Sequence, residues 1–242
     1  MNRSTPLITG ETYHIYNRGA HKNEIFSDSA DYNRLLLLLY LSNRDKPVNL
    51  RNLLEKHKGL TFVRLLELEG PGTPLVDLFA YALMPNHFHF VIRQKVDGGI
   101  SAFMQKICTA YSMYYNLKHQ HSGTLFQGRF KSSHINTEPY FRWIFAYVHL
   151  NPLELAEPDW KEGNIRNSKA ARKFLAEYRY GSYSDYCVGE RPERAILAYN
   201  DAPDFLKTQN DLEEALGDFE RGRVLHAEDI GNSTKVRPLQ NL

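Results

Sequence analysis

Cysteine is scarce in this chain. Cys108 and Cys187 are the only two, too few for a disulfide framework or a multi-cysteine zinc site. Long apolar runs are missing as well. The longest, Leu35 to Leu41, includes Tyr40 and falls far short of the roughly 20 residues that a membrane-spanning helix needs. No basic start followed by a long apolar segment marks a secretory signal. There is no large charge excess, since 30 Lys and Arg against 28 Asp and Glu leave a net +2. No internal repeat is visible. These absences exclude coiled-coil, collagen, membrane-spanning and disordered classes and lead to the expectation of a soluble cytoplasmic protein. What remains is 242 residues, 42% of them hydrophobic. That suffices for one large domain, or a domain with an appendage, hiding roughly 70% of its unfolded surface.

The small net charge is unevenly spread. Residues 100–152 hold Lys106, Lys118, Arg129, Lys131 and Arg142 against a single acid, Glu138. From 153 onward acids outnumber bases. A basic middle before an acidic tail fits a local polyanion site, and equally a solvated face.

Patterning predicts the elements. Tyr13 to Arg18 is aromatic and β-branched and stops at Gly19, which reads as a strand. Ser27 or Asp28 caps a helix to about Ser42 with a leucine-rich core face. Residues 43–60 read as a connector with a short helix at Leu50 to Lys58. Leu60 to Leu68, Leu75 to Leu83 and Phe88 to Arg93 read as strands, with a turn at Gly70 to Pro74. Ile100, Phe103, Met104, Ile107, Tyr111 and Tyr115 recur at three- and four-residue steps, the stripe of a core-facing helix, with Gly99 or Ser101 as its cap. Leu125 to Ile135 is short, basic and aromatic. Thr137 caps a further helix with Pro139 in its first turn. That helix must end near Asn151, because Pro152 disfavours helix in the residue before it. Beyond it, Ser168 to Tyr178 and Asp211 to Arg221 show polar helical patterns.

Two places could carry chemistry. His87 and His89 flank Phe88 on a strand, so they share one face with Cα atoms roughly 6.6 Å apart. Both imidazoles could reach one divalent cation, although His-x-His alone does not separate ligands from satisfied histidines. Tyr147 and Asn151 lie four apart, on one helix face. A tyrosine hydroxyl can act as a nucleophile, and an amide oxygen beside two imidazoles makes a mixed N/O set that suits Mn²⁺ or Mg²⁺. Spacing does not single Tyr147 out from the 15 tyrosines present.

Four segments together are more specific. They are Tyr13-His14-Ile15-Tyr16-Asn17-Arg18-Gly19, Ala82-Leu83-Met84-Pro85-Asn86-His87-Phe88-His89-Phe90-Val91, Gly123-Thr124-Leu125-Phe126-Gln127-Gly128-Arg129-Phe130-Lys131, and Tyr147-Val148-His149-Leu150-Asn151-Pro152. Over about residues 10–155 the chain resembles the REP-associated tyrosine transposases of the HUH single-tyrosine superfamily.

The resemblance implies an α+β, ferredoxin-like HUH domain over 1–155. Its mainly antiparallel sheet of four or five strands would be packed with helices. Residues 156–242 would form a helical C-terminal extension that grips DNA or covers the sheet. It implies that His87 and His89 hold Mg²⁺ or Mn²⁺ and that Tyr147 attacks the scissile phosphate, giving a 5′-phosphotyrosine link and a free 3′-hydroxyl. In the family's insertion-sequence members a glutamine four residues after the tyrosine helps to ligate metal. Asn151 stands there, one methylene shorter. The implied substrate is single-stranded hairpin DNA, with Arg18, Arg129 and Lys131 on phosphates and Phe126 as a stacking platform. The implied assembly is a monomer or a homodimer. His149 lies about 200° around the helix from Tyr147 and is left outside the site. Tyr180-Gly181-Ser182-Tyr183-Ser184 resembles a further family segment with no derivable role. Two rival readings stand beside the strand transferase. One is a domesticated hairpin-binding protein; the other is a metal hydrolase built on His-x-His.

Overall fold

The computed structural model describes residues 6–46, 49–70, 72–162 and 165–204, together with residue 217. The predicted helix at Asp211 to Arg221 lies outside the described residues. Strand β1 spans Thr12–Arg18 and ends where a side chain cannot follow. A Cβ on Gly19 would sit 2.0 Å from the Asn23 carbonyl oxygen. Helix α1 spans Ser29–Ser42, and its cap is Asp28, whose carboxylate accepts from the Ala30 and Asp31 amides. Two short helices follow, α2 at Leu50–Lys56 and α3 at Phe62–Leu68.

Helix α3 corrects the strand expected at Leu60 to Leu68. Thr61 caps it by accepting from the Arg64 amide, and Leu65 is its buried residue while Val63 is half exposed. The three-residue spacing from Phe62 to Leu65 to Leu68 therefore outweighs the alternation.

Strands β2 at Val76–Met84 and β3 at His87–Gln94 form a hairpin, followed by helix α4 at Gly99–His119. Its cap is Gly98 in the left-handed region rather than Gly99 or Ser101, and no side chain caps it. Strand β4 spans Lys131–Ile135. The sheet order is β2-β3-β1-β4, antiparallel throughout. Four strands in this order, with α1 and α4 as the crossovers, make the expected α+β, ferredoxin-like arrangement.

Register decides what each face carries. Arg18 pairs with His87, Tyr16 with His89 and His14 with Val91, so these side chains share one face. Ile15 pairs with Phe90 on the other. There Phe88 and Phe126 meet, and Phe126 in turn meets Tyr111 of α4. Helix α5, Glu138–Leu150, packs on the histidine face through contacts such as Phe79 with Phe141. Its apolar positions are buried almost continuously from Ile144 to Leu150.

Helices α6 at Ser168–Glu177 and α7 at Tyr183–Cys187 follow. The Tyr180 to Ser184 segment now acquires a role. Gly181 bridges Ala82 on the outer edge of β2. Ser182 donates its amide to the Tyr81 carbonyl at 2.9 Å, and its hydroxyl accepts from the Tyr81 amide at 2.9 Å. The edge is thereby paired instead of left as an open template. His149 bonds Ser182 Oγ through Nε2 at 2.8 Å and the Phe145 carbonyl through Nδ1 at 2.8 Å. It is thus a buried strut between α5 and this segment. Tyr180 stacks on Tyr32 of α1 at 4.0 Å, so the segment clasps both layers. Arg191 locks it, bonding Asp185 through two nitrogens and the Tyr81 hydroxyl at 2.9 Å.

Candidate active site

The site is built where β3 faces α5. His87 and His89 alternate with Phe88, whose side chain is buried in the core. Thr137 sets the start of α5 by accepting from the Tyr140 amide. The helix then carries Tyr147 over the histidine strand ten residues later. The Tyr147 ring lies edge-on to His89, with centroids 5.5 Å apart and planes at 88°. Asn151, just past the last turn, brings Oδ1 to 3.1 Å from His87 Nε2. His87 and His89 sit edge to face, 5.0 Å apart. All four residues therefore converge within one chain.

Burial sets the electrostatics. His89 is fully buried and His87 half-buried. Burial, before any other cause, pushes both imidazoles below their usual pKa, His89 well below. At His87 the Asn151 side chain and Glu154 oppose this, and the charges of Lys161 and Arg18 add to it. Burial therefore favours the neutral ring at both positions, the form that ligates metal. Tyr147 is 3% exposed, between Trp143 stacked at 5.4 Å and Trp160 at 5.8 Å, with Lys161 Nζ 5.7 Å from the ring. Burial first, then Glu154 and Tyr16, hold its phenol above the usual tyrosine value, against a smaller pull from the Asn151 amide.

The donor set suits a divalent cation. His89 Nε2 is buried without a hydrogen-bond partner, among the described residues. Such an orphan in a native interior calls for a ligand or an explanation. No group of three or more His, Cys, Asp or Glu is placed to hold a metal ion among the described residues. The chain would thus supply two imidazoles and an amide oxygen, a set compatible with Mn²⁺ or Mg²⁺ whose remaining positions stay open.

The expected DNA-contacting residues separate. Arg18 lies beside this face and donates to the Gln127 side chain. Arg129 and Lys131 are exposed, and Lys131 Nζ lies 5.8 Å from the Tyr16 ring. Phe126 is a correction. It is 8% exposed, and its ring is taken up by Phe88 and Tyr111, leaving no open face for a base. The cause is local. Residues 125–130 do not form the straight strand that would alternate Phe126 against Arg129. They fold back on the end of β1, with Gly19 bridged to Phe126 and the Gln127 amide donating to the Arg18 carbonyl at 2.8 Å.

Sequence reasoning missed His14 and gave Asn86 no role. His14 Nε2 is 2.8 Å from His89 Nδ1, and burial lowers its pKa to about 3. The period-2 alternation of His14, Tyr16 and Arg18 is visible in the sequence, but their partner strand is not.

Residues 74–151, from two residues before β2 through Asn151, match the family model for IS200-like transposases. A solved structure of a REP-associated tyrosine transposase bound to a REP hairpin is similar at 12% identity and a TM-score of 0.46. That likeness covers 77% of this chain and 84% of that one. No curated protein matches the chain.

Proposed function

We propose that this chain, whose residues 74–151 match the family model for IS200-like transposases, is a metal-dependent DNA strand transferase. It would cleave and rejoin single-stranded hairpin DNA through Tyr147. One observation carries the reading: the Tyr147 phenol lies beside the His87/His89 pair in its own chain. A bound divalent cation would polarise the scissile phosphate as a Lewis acid. His87 and His89 would hold it, with Asn151 as a third donor.

The rest is work for the chain's own side chains. Tyr147 Oη forms a bond to phosphorus as the bond from phosphorus to the 3′ oxygen breaks. The phenol loses its proton and the departing 3′ oxygen gains one. One phosphodiester replaces another, so no nucleotide cofactor is consumed and the step is reversible. Arg18, Arg129 and Lys131 meet phosphates along the β1–β4 side. Residues 1–155 carry the chemistry. Residues 180–191 brace α5 and the β2 edge, and the C-terminal extension would touch DNA beyond the core.

The test is adduct formation. Single-stranded oligonucleotides bearing the inverted repeats that flank the coding region are incubated with protein and Mn²⁺. Wild type should form a denaturation-resistant adduct; Tyr147→Phe should bind the hairpin and form none. An adduct from that variant would remove Tyr147 from the mechanism. The burial of Tyr147 under Trp143 and Trp160 favours a second reading, hairpin binding without cleavage. Tight binding by wild type with no adduct would select it.

A further inference from the structure

Two neighbours of the histidine pair do more than fill space. Asn86 donates its Nδ2 to the Lys22 carbonyl at 3.3 Å. A carbonyl only accepts, so this contact fixes which way the amide faces. Asn86 Oδ1 then lies 2.6 Å from His87 Nδ1 and must accept from it. A neutral imidazole carries one N–H. His87 Nε2 is therefore a bare lone pair, and it faces Asn151. A bare Nε2 cannot face an acceptor at that distance, so in the metal-free protein the Asn151 amide presents Nδ2 to it, which also gives that buried donor a partner. The Lys22 carbonyl comes from a loop with its own cost, since His21 and Lys22 both adopt positive φ, 56° and 62°. Strain of that kind persists only where the surroundings impose it.

His89 has a different neighbour with the same effect. Its Nδ1 meets His14 Nε2 at 2.8 Å, with the rings stacked at 17°. One of these two nitrogens carries the proton. Were it on His14, the proton of His89 would sit on Nε2, which is buried with no acceptor. An orphaned buried N–H costs about 1–3 kcal/mol. A proton on His89 Nδ1, donated to His14, avoids that cost and leaves Nε2 bare.

We propose that Asn86 and His14 are positioning residues that hold His87 and His89 in the Nδ1–H tautomer, so that both Nε2 atoms carry a lone pair and no proton in the metal-free protein. This rests on the reading of His87 and His89 as metal ligands. Partners of this kind orient ligating imidazoles, and their loss costs about 10- to 100-fold in metal affinity.

The test uses the full chain labelled with ¹⁵N-histidine and free of metal. Nitrogen–proton correlation spectra report the tautomer of each ring, and a Mn²⁺ titration read by electron paramagnetic resonance reports affinity. Wild type should show Nδ1–H at both His87 and His89. Asn86→Ala should mix the His87 tautomers and weaken Mn²⁺ binding at least tenfold. Asn86→Asp, whose carboxylate still accepts, should restore both. His14→Phe should act in the same way on His89, and His14→Gln should restore it. An Nε2–H signal at either ring in wild type overturns the proposal without recourse to any variant. So does Asn86→Ala with unchanged tautomer and Mn²⁺ affinity. Wild type that shows both Nδ1–H tautomers but binds no Mn²⁺ would defeat the metal reading and leave the tautomer assignment standing.

Discussion

Tyr147 is costly to ionise where it sits. Glu154 contributes to that cost, and Glu154 is also paired with Lys161 at 2.7 Å. Glu154→Gln removes an anion near the phenol and releases Lys161 from its partner. Both changes favour the phenolate, so the Tyr147 pKa should fall. The rate of adduct formation against pH should then shift to lower pH than in wild type. An unshifted profile would show that ionisation of Tyr147 does not limit the step. The ligand candidates are legible from sequence because His-x-His needs only the strand period, and Tyr147 with Asn151 only the helical one. His14 is not legible, because its partner lies 75 positions away across a strand pairing whose register no local pattern reveals. Phe126 misleads for the same reason: an aromatic next to arginine and lysine reads as a stacking platform until the fold closes over it.

Helix α5 is nearly complete in the sequence, since Thr137, Pro139 and Pro152 mark its ends. Helix α3 is not, because seven residues from Phe62 to Leu68 satisfy both periods and a single buried leucine decides between them. The α1–α4 contact is held by a group whose neighbours are invisible locally. Asp31 is buried completely and takes Lys118 at 2.7 Å, Tyr114 at 3.0 Å, His119 at 2.9 Å and the Ser27 amide at 2.9 Å. Burial would raise its carboxyl pKa, but Lys118, the Ser27 amide, Tyr114 and His119 outweigh it and hold it below the usual value. Asp31→Asn should destabilise the fold by about 3 kcal/mol, the low end for breaking a buried pair, because Lys118 keeps a route to solvent and to Asp28. Chemical denaturation checks this; a loss below about 1 kcal/mol would show that Asp31 does not anchor the two helices.

The strut between α5 and the C-terminal clasp has a pH signature. Burial lowers the His149 pKa to about 4. The folded state then binds fewer protons than the unfolded chain between about pH 6.5 and pH 4. Its contribution is complete above the unfolded imidazole value and is lost as pH falls through that window. His149→Gln should melt with a shallower dependence on pH between 6.5 and 4 than wild type. Equal slopes would assign the acid sensitivity to other groups.

Taken as one body, the molecule is a sheet with α1 and α4 on one face, α5 on the other, and residues 180–191 fastening the edge between them. Nucleophile and ligand candidates sit together without a second copy. A mixture of Tyr147→Phe with His87→Ala/His89→Ala protein should therefore yield no adduct, since neither chain has both halves. Restored cleavage in the mixture would mean that α5 serves a neighbouring copy.

The most direct measurement is to locate the covalent bond. Wild-type protein is trapped with Mn²⁺ and the flanking-repeat hairpin, digested, and read by mass spectrometry. The account predicts a nucleotide joined through its 5′ phosphate to Tyr147. Attachment to any other residue, or hairpin cleaved with no attachment at all, would contradict it.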